Sequence, residues 1–197
     1  MLADVNKQQS WNQRYQQKQV DEQLPAPVLT LNQKLLPAKG SVLDLACGLG
    51  GNAIFLAKLG YEVSALDYSA IALEKLALYA QQNRLSIKPR LLDLQSQSLE
   101  PAQYDVVVVS YYLQRDLFPV IFDQLKTGGL LFYQTFGVAA DNASGPKNPA
   151  FRLSKGELLS LCTNHSVLFY REDQGCCIGD ECFNNDAMIV VRKNRHE

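Results

Sequence analysis

The feature that most constrains this chain is the run Asp44-Leu45-Ala46-Cys47-Gly48-Leu49-Gly50-Gly51-Asn52, set between an apolar strand-like stretch and a helical one. Glycine lacks a Cβ, so a turn of this kind lets backbone approach a ligand closely, and the helix that follows presents free N–H groups at the positive end of its dipole. Asp67, at the end of the next apolar run, lies about 20 residues beyond Gly48, the spacing at which a carboxylate meets the two hydroxyls of a ribose. Together the turn and the acid suit an adenosine-bearing cofactor.

The rest of the chain supplies the framework for such a turn. Short apolar runs at Ser41–Leu45, Tyr61–Leu66, Ile87–Leu92, Tyr104–Val109 and Leu130–Phe136 alternate with stretches of helical spacing, the rhythm of a parallel sheet with crossover helices. Four consecutive valines, Val106–Val109, show no alternation and predict a central strand buried on both faces. Ser69 is a candidate N-cap for a helix that buries Leu73 and Leu76, and Ser154 with Glu157 is a capping-box signal for a helix to about Asn164. Residues 167–171 and 187–192 read as a closing hairpin, 137–149 as an exposed loop, and 193–197 as a loose tail.

Length and composition narrow the class further. A chain of 197 residues, 47% hydrophobic and 20% charged, fits one globular domain over 1–197. The net charge of −1 gives no global field toward nucleic acid or anionic lipid. The N-terminus lacks the pattern of a secretory signal, and no apolar run approaches the roughly 20 residues of a membrane span, so the expected setting is cytoplasmic, with no membrane or nucleic-acid partner. Cys47 reads as a small apolar filler, while Cys176, Cys177 and Cys182 lack a standard zinc spacing and an evident fourth ligand, so no metal is expected.

The glycine turn alone leaves two readings. Gly48, Gly50 and Ala53 satisfy the dinucleotide pattern, so an NAD-dependent oxidoreductase competes. Against it, Asp44 would set a negative charge near a pyrophosphate but suits the ammonium of a methionyl group, and Asp93 closes the third run where an adenine amino group can meet it. A non-enzymatic cofactor-binding module is the third possibility, because a fold can persist without its activity.

Over nearly its whole length the chain resembles class I S-adenosylmethionine-dependent methyltransferases. Within them it is similar to the tellurite-resistance methyltransferase family through Trp11-Asn12-Gln13-Arg14-Tyr15, residues 43–55, Ala65-Leu66-Asp67-Tyr68-Ser69, residues 104–112, Lys126-Thr127-Gly128-Gly129 and residues 145–149. The resemblance implies an α/β, Rossmann-like three-layer sandwich: a mostly parallel seven-stranded sheet with an antiparallel last strand. It implies S-adenosylmethionine as cofactor, a small-molecule acceptor such as tellurite, selenite or a thiol, and residues 1–37 as an N-terminal helical lid region.

Carried onto this sequence, the resemblance assigns Asp44 and Gly48 to the methionine moiety, with Ala46, Cys47, Gly50 and Asn52 in the same turn. Asp67 takes the ribose beside Tyr68 and Ser69, Asp93 and Leu94 take the adenine edge, and Ser110 lies under the sulfonium. Ala46 stands where many members have glycine. Trp11, Arg14 and Tyr15 are read as cofactor contacts of the lid, with simple docking of the helix as the alternative. Methyl transfer is an in-line displacement that needs alignment more than a catalytic triad. The candidates on the acceptor side are Tyr112 and Arg115, the latter as an anion-binding fork or, alternatively, salt-bridged to Asp116 or Asp123. His165 and His196 read as solvated surface, and residues 147–152 as a segment able to close the acceptor side.

Overall fold

The computed structural model describes residues 2–94, 99, 103–137, 145–172, 177–178, 181–182 and 185–195. Its helices are α1 (Leu2–Gln16), α2 (Pro27–Leu31), α3 (Gly51–Lys58), α4 (Ala70–Gln82), α5 (Phe118–Asp123) and α6 (Glu157–Ser160). The strands are β1 (Ser41–Leu45), β2 (Glu62–Asp67), β3 (Ile87–Leu91), β4 (Tyr104–Ser110), β5 (Leu125–Phe136), β6 (Ser166–Glu172), β7 (Cys177–Ile178), β8 (Glu181–Cys182) and β9 (Asp186–Arg192).

Seven strands form one sheet in the order β3-β2-β1-β4-β5-β9-β6, and β7 and β8 pair separately. Strands β1 to β5 pair in parallel, whereas β9 runs antiparallel to both β5 and β6. The order reverses at β1, with β2 on one side and β4 on the other, and open sheets of this kind bind ligands at the carboxyl ends of strands flanking that point. The glycine turn leaves β1 there.

Burial explains why the apolar runs became strands. Val106 to Val109 are fully buried, with Val106 and Val108 in a cluster that includes the inward side chains of α3 and α4, and Val107 and Val109 in one that includes Phe118 and Ile121 of α5. Both faces are therefore covered, which gives three layers and accounts for a run without polar alternation. Ser69 caps α4, its side chain accepting from the Ala72 N–H at 3.3 Å.

Several boundaries differ from the sequence expectations. The expected hairpin of 167–171 and 187–192 is the β6–β9 pair, with the small β7–β8 ribbon lying between its strands in sequence. Helix α6 starts after Gly156 in a left-handed conformation, and Glu157 completes only half of the capping box, accepting from the Ser154 N–H at 2.7 Å. The tail is anchored at its start: Lys193 is buried, its Nζ donates to the Leu125 carbonyl at 2.8 Å, and its backbone pairs with Gly128 and Gly129. His165 is half-buried, its ring 3.8 Å from that of Phe122, while His196 lies outside the described residues. Among the described residues no helix is long and apolar enough to cross a membrane.

Candidate functional site

A cavity of about 640 Å³ opens at the carboxyl ends of β1, β2 and β4, within the size range of small-molecule sites. Its floor is the turn between β1 and α3. Gly48 has a left-handed backbone, φ +54°, and a Cβ there would stand 2.7 Å from the Tyr15 hydroxyl, so a side chain would strain the turn and displace Tyr15. Ala46 also adopts a left-handed backbone, φ +55°, a conformation that favours glycine.

One carboxylate lines the floor and a second lies behind it. Asp67, at the end of β2, accepts from the Gly48 N–H at 2.7 Å and the Ser69 N–H at 2.8 Å, so it ties the turn to the start of α4 and keeps lone pairs for a ligand. Burial raises its pKa, opposed by the N–H groups of Ser69, Gly48 and Tyr68. Asp44 lies fully buried beneath the turn, and neither of its oxygens has a hydrogen-bond partner. Burial pushes its pKa up to about 7, against the opposing influence of the Asn52 side chain and the Ala53 N–H, while Asp67 pushes it further up. The Cys47 thiol is raised by burial and by both carboxylates, so it stays protonated and inert.

The N-terminal segment forms the opposite wall. The Trp11 and Tyr15 rings stack at 5.9 Å, and the Arg14 guanidinium sits 4.7 Å above the Trp11 ring. Polar contacts hold α1 in place: Gln8 Nε2 donates to the Tyr68 carbonyl, and the Ser69 hydroxyl donates to Asn12 Oδ1. Lys75 Nζ donates to the carbonyls of Tyr15, Gln16 and Lys18, capping the end of α1 where its dipole is negative. Burial, and the Asp67 charge after it, raises the pKa of the Tyr15 phenol.

Of the residues singled out in the sequence, Trp11, Arg14, Tyr15, Ala46, Cys47 and Gly48 line the cavity, as do Asn52, Asp67, Tyr68, Asp93, Leu94, Ser110 and Tyr112. Asp44, Gly50 and Ser69 lie behind it rather than in its lining, Asp44 buried beneath the turn, Gly50 packing on Leu76 and Ser69 capping α4. Asn52 is a clasp as well as a wall, since its Oδ1 accepts from the Ala26 N–H and its Nδ2 donates to the Ser110 hydroxyl, each at 2.8 Å. Tyr112 donates to Gln114 Oε1 at 2.8 Å, and burial with the charge of Asp93 pushes its pKa up to about 12.

Arg115 departs from the expectation of an acceptor contact. It lies outside the cavity lining, its guanidinium donating to both oxygens of Glu157, at 2.5 and 3.1 Å, and to the carbonyls of Ala150 and Arg152, each at 2.9 Å. The salt bridge is thus to Glu157, 42 residues away, rather than to Asp116 or Asp123. In the segment 147–152, Arg152 turns inward, donating to the carbonyls of Pro146 and Gly137 under the Phe136 ring. Cys176 lies outside the described residues, and Cys177 and Cys182 face each other in the β7–β8 register. Among the described residues no cluster of His, Cys, Asp and Glu could hold a metal ion.

The sequence reading missed three parts of the site. Residues 23–27 run as a strap across the turn, with the Leu24 carbonyl 2.5 Å from where a Cβ on Gly51 would stand. Lys18 also lines the cavity. Gln134 and Asp186 form one hydrogen-bonded group with Tyr111, which the sequence left undecided between core and pocket, next to Phe136. Gln134, the polar side chain directly after the apolar run 130–133, was a local signal of that group.

The chain is similar to several known proteins. The family described as "Tellurite resistance protein TehB" matches residues 5–187. The chain is 29% identical over 140 residues to a probable S-adenosyl-L-methionine-dependent methyltransferase TehB of Haemophilus influenzae, covering 68% of this chain and 49% of that protein. It is 37% identical over 111 residues to the putative methyltransferase YqeM of Bacillus subtilis, covering 50% of this chain and 43% of that one. The crystal structure of TehB from Haemophilus influenzae superposes with a TM-score of 0.69 at 22% identity, over 85% of this chain and 61% of that one. The chain spans about half the length of these curated relatives.

Proposed function

Since this chain belongs to the TehB family, we propose that it transfers a methyl group from S-adenosylmethionine to a small-molecule acceptor. The observation that carries the reading is Asp44, a fully buried carboxylate beneath the glycine turn with neither oxygen hydrogen-bonded. A buried carboxylate is costly unless it meets positive charge. S-Adenosylmethionine brings an ammonium and a sulfonium, whereas NAD would set a pyrophosphate over the same turn.

The other residues fit the same group. Asp67 would take the ribose hydroxyls, Asp93 and Leu94 the adenine edge, and the turn from Ala46 to Asn52 the methionine moiety. When bound, the cofactor supplies an electrophilic methyl on a positively charged sulfur. The chain's part is to hold, align and exclude water: α1 and the 23–27 strap cover the site, and Ser110, fixed by Asn52, sits at the end of β4 beside the acceptor wall. In this reading residues 1–37 form the lid region of a single domain.

The acceptor side is Tyr111, Tyr112 and Phe136. An oxyanion such as tellurite or selenite needs a cation there, and Arg115, the expected one, is committed to Glu157. The lining cations Arg14 and Lys18 belong instead to the N-terminal segment, which Lys75 holds on α4. These contacts favour a neutral acceptor.

Calorimetric titration with S-adenosylmethionine, S-adenosylhomocysteine and NAD in parallel tests the proposal. Binding of the first two with silence from NAD is expected. Binding of NAD alone revives the oxidoreductase, and binding of the first two without labelled methyl transfer to any acceptor in a broad panel favours a non-enzymatic module.

A further inference from the structure

Tyr111 follows β4 in a left-handed backbone conformation, φ +56°, which is uncommon and strained for a bulky side chain. Such strain persists only where surrounding contacts fix it. Here the Tyr111 N–H donates to the Gln134 carbonyl at 2.8 Å, and its ring packs 4.9 Å from that of Phe136. Its hydroxyl donates to Asp186 Oδ2 at 3.0 Å and accepts from Gln134 Nε2 at 2.8 Å. Gln134 is itself fixed, donating to the same Asp186 oxygen at 2.9 Å and accepting from the Val28 N–H at 2.9 Å. The side chain of Tyr111 remains on the cavity wall and 44% exposed, whereas Asp186 is buried. A strained residue on the cavity wall thus carries a hydroxyl backed by a buried carboxylate.

Resting on the methyltransferase reading above, we propose that the acceptor is a neutral thiol and that Tyr111, backed by Asp186, takes its proton. As the sulfur–carbon bond to the acceptor forms and the bond from the methyl to the cofactor sulfur breaks, that bonding pair stays on the cofactor sulfur. The thiol proton passes to Tyr111 Oη while the Tyr111 proton passes to Asp186 Oδ2; after the product leaves, the shift reverses and the proton returns to solvent through Tyr111, the partly exposed member of the pair. Tyr111 is the catalytic residue, and Asp186 and Gln134 are positioning residues. Burial first, and then the Asp186 charge, raises the Tyr111 pKa, which keeps the phenol protonated, as a relay requires.

The chemistry of this wall favours a neutral donor over an oxyanion. It offers two aromatic faces, a hydroxyl and a carboxylate behind it. Arg115 is committed to Glu157, and Arg152 to the carbonyls of Pro146 and Gly137. The internal segments outside the described residues, 95–98, 100–102, 138–144, 173–176, 179–180 and 183–184, contain no Lys, Arg or His in sequence. A neutral thiol needs its proton removed as it reacts, which is the service this pair provides.

The test uses the full chain with labelled S-adenosylmethionine and two probes, 2-mercaptoethanol, mostly protonated near neutral pH, and thiophenol, largely ionised there. Tyr111→Phe and Asp186→Asn are each expected to slow methylation of 2-mercaptoethanol about a hundredfold, and the double variant about as much as either alone. With thiophenol the loss shrinks to a few-fold. A second readout needs no cofactor: in protein labelled at the hydroxyl-bearing tyrosine carbon, the Tyr111 resonance, assigned through Tyr111→Phe, titrates with Asp186 and ceases to do so in Asp186→Asn. Equal losses on both thiols, a resonance indifferent to Asp186→Asn, or retained cofactor binding with neither thiol methylated by the wild type overturns the proposal. Failure to bind S-adenosylmethionine at all overturns the parent reading instead.

Discussion

Replacing Asp44 by Asn sets stability against binding in a way that follows from its surroundings. The carboxyl is fully buried without a hydrogen-bond partner, and burial lifts its pKa from 3.8 to about 7. Between about pH 4 and pH 7 the folded chain therefore binds more protons here than the unfolded chain, so Asp44 costs stability as pH rises through that window and a constant amount above it. At about 1.4 kcal/mol per pKa unit the ceiling at pH 8 is about 4 kcal/mol, falling to under about 2 kcal/mol at pH 5. The amide has its own desolvation cost, so the expected gain of Asp44→Asn at pH 8 is about 2 to 3 kcal/mol, shrinking toward zero at pH 5. Urea unfolding at the two pH values reads this difference. The same variant should bind S-adenosylmethionine about ten- to a hundredfold more weakly, because a charge-assisted contact is worth about 1.5 to 3 kcal/mol. In the wild type, binding at pH 7 should release a proton, seen as a dependence of the calorimetric heat on buffer ionisation enthalpy. A gain independent of pH, or undiminished cofactor affinity, would refute the assignment of Asp44 as a buried charge waiting for a cation.

Three further perturbations test separate parts of the structure. Ala46→Gly relieves the left-handed backbone at φ +55° and should raise stability by about 0.5 to 1 kcal/mol in urea unfolding without weakening cofactor binding; a loss of stability would count against the turn geometry. Arg115→Ala removes the partly exposed clamp on Glu157 and two carbonyls, so a loss of about 1 to 2 kcal/mol of stability is expected with cofactor affinity retained. Unchanged stability with impaired turnover would return Arg115 to the acceptor side. Lys75→Met releases the three carbonyls that close α1, and it should shift the fluorescence of Trp11, the single tryptophan, toward that of an exposed indole and speed cofactor dissociation. An unaltered spectrum and dissociation rate would show that other contacts suffice to seat the helix.

The local signals in this sequence reached far because they act over short separations. Short apolar runs separated by stretches of helical spacing marked the five parallel strands and the helices between them, and four unbroken valines marked the strand buried on both faces. The glycine turn and the acids Asp67 and Asp93 were legible because a strand end fixes where its last residues stand. Ser69 was recognisable as a cap because its partner, the Ala72 N–H, is three residues away. Tertiary structure decided the polar partnerships that cross the chain. Arg115 read as either an anion-binding fork or a partner of Asp116 or Asp123 until Glu157 arrived from α6, and Lys193 looked like tail until it met the Leu125 carbonyl. Tyr111, Gln134 and Asp186 lie on three segments whose side chains meet only when β4, β5 and β9 pair. Apolar side chains need only a buried face, which periodicity reveals. A buried polar group needs one particular partner, and which residue fills that role is set by how distant segments come together.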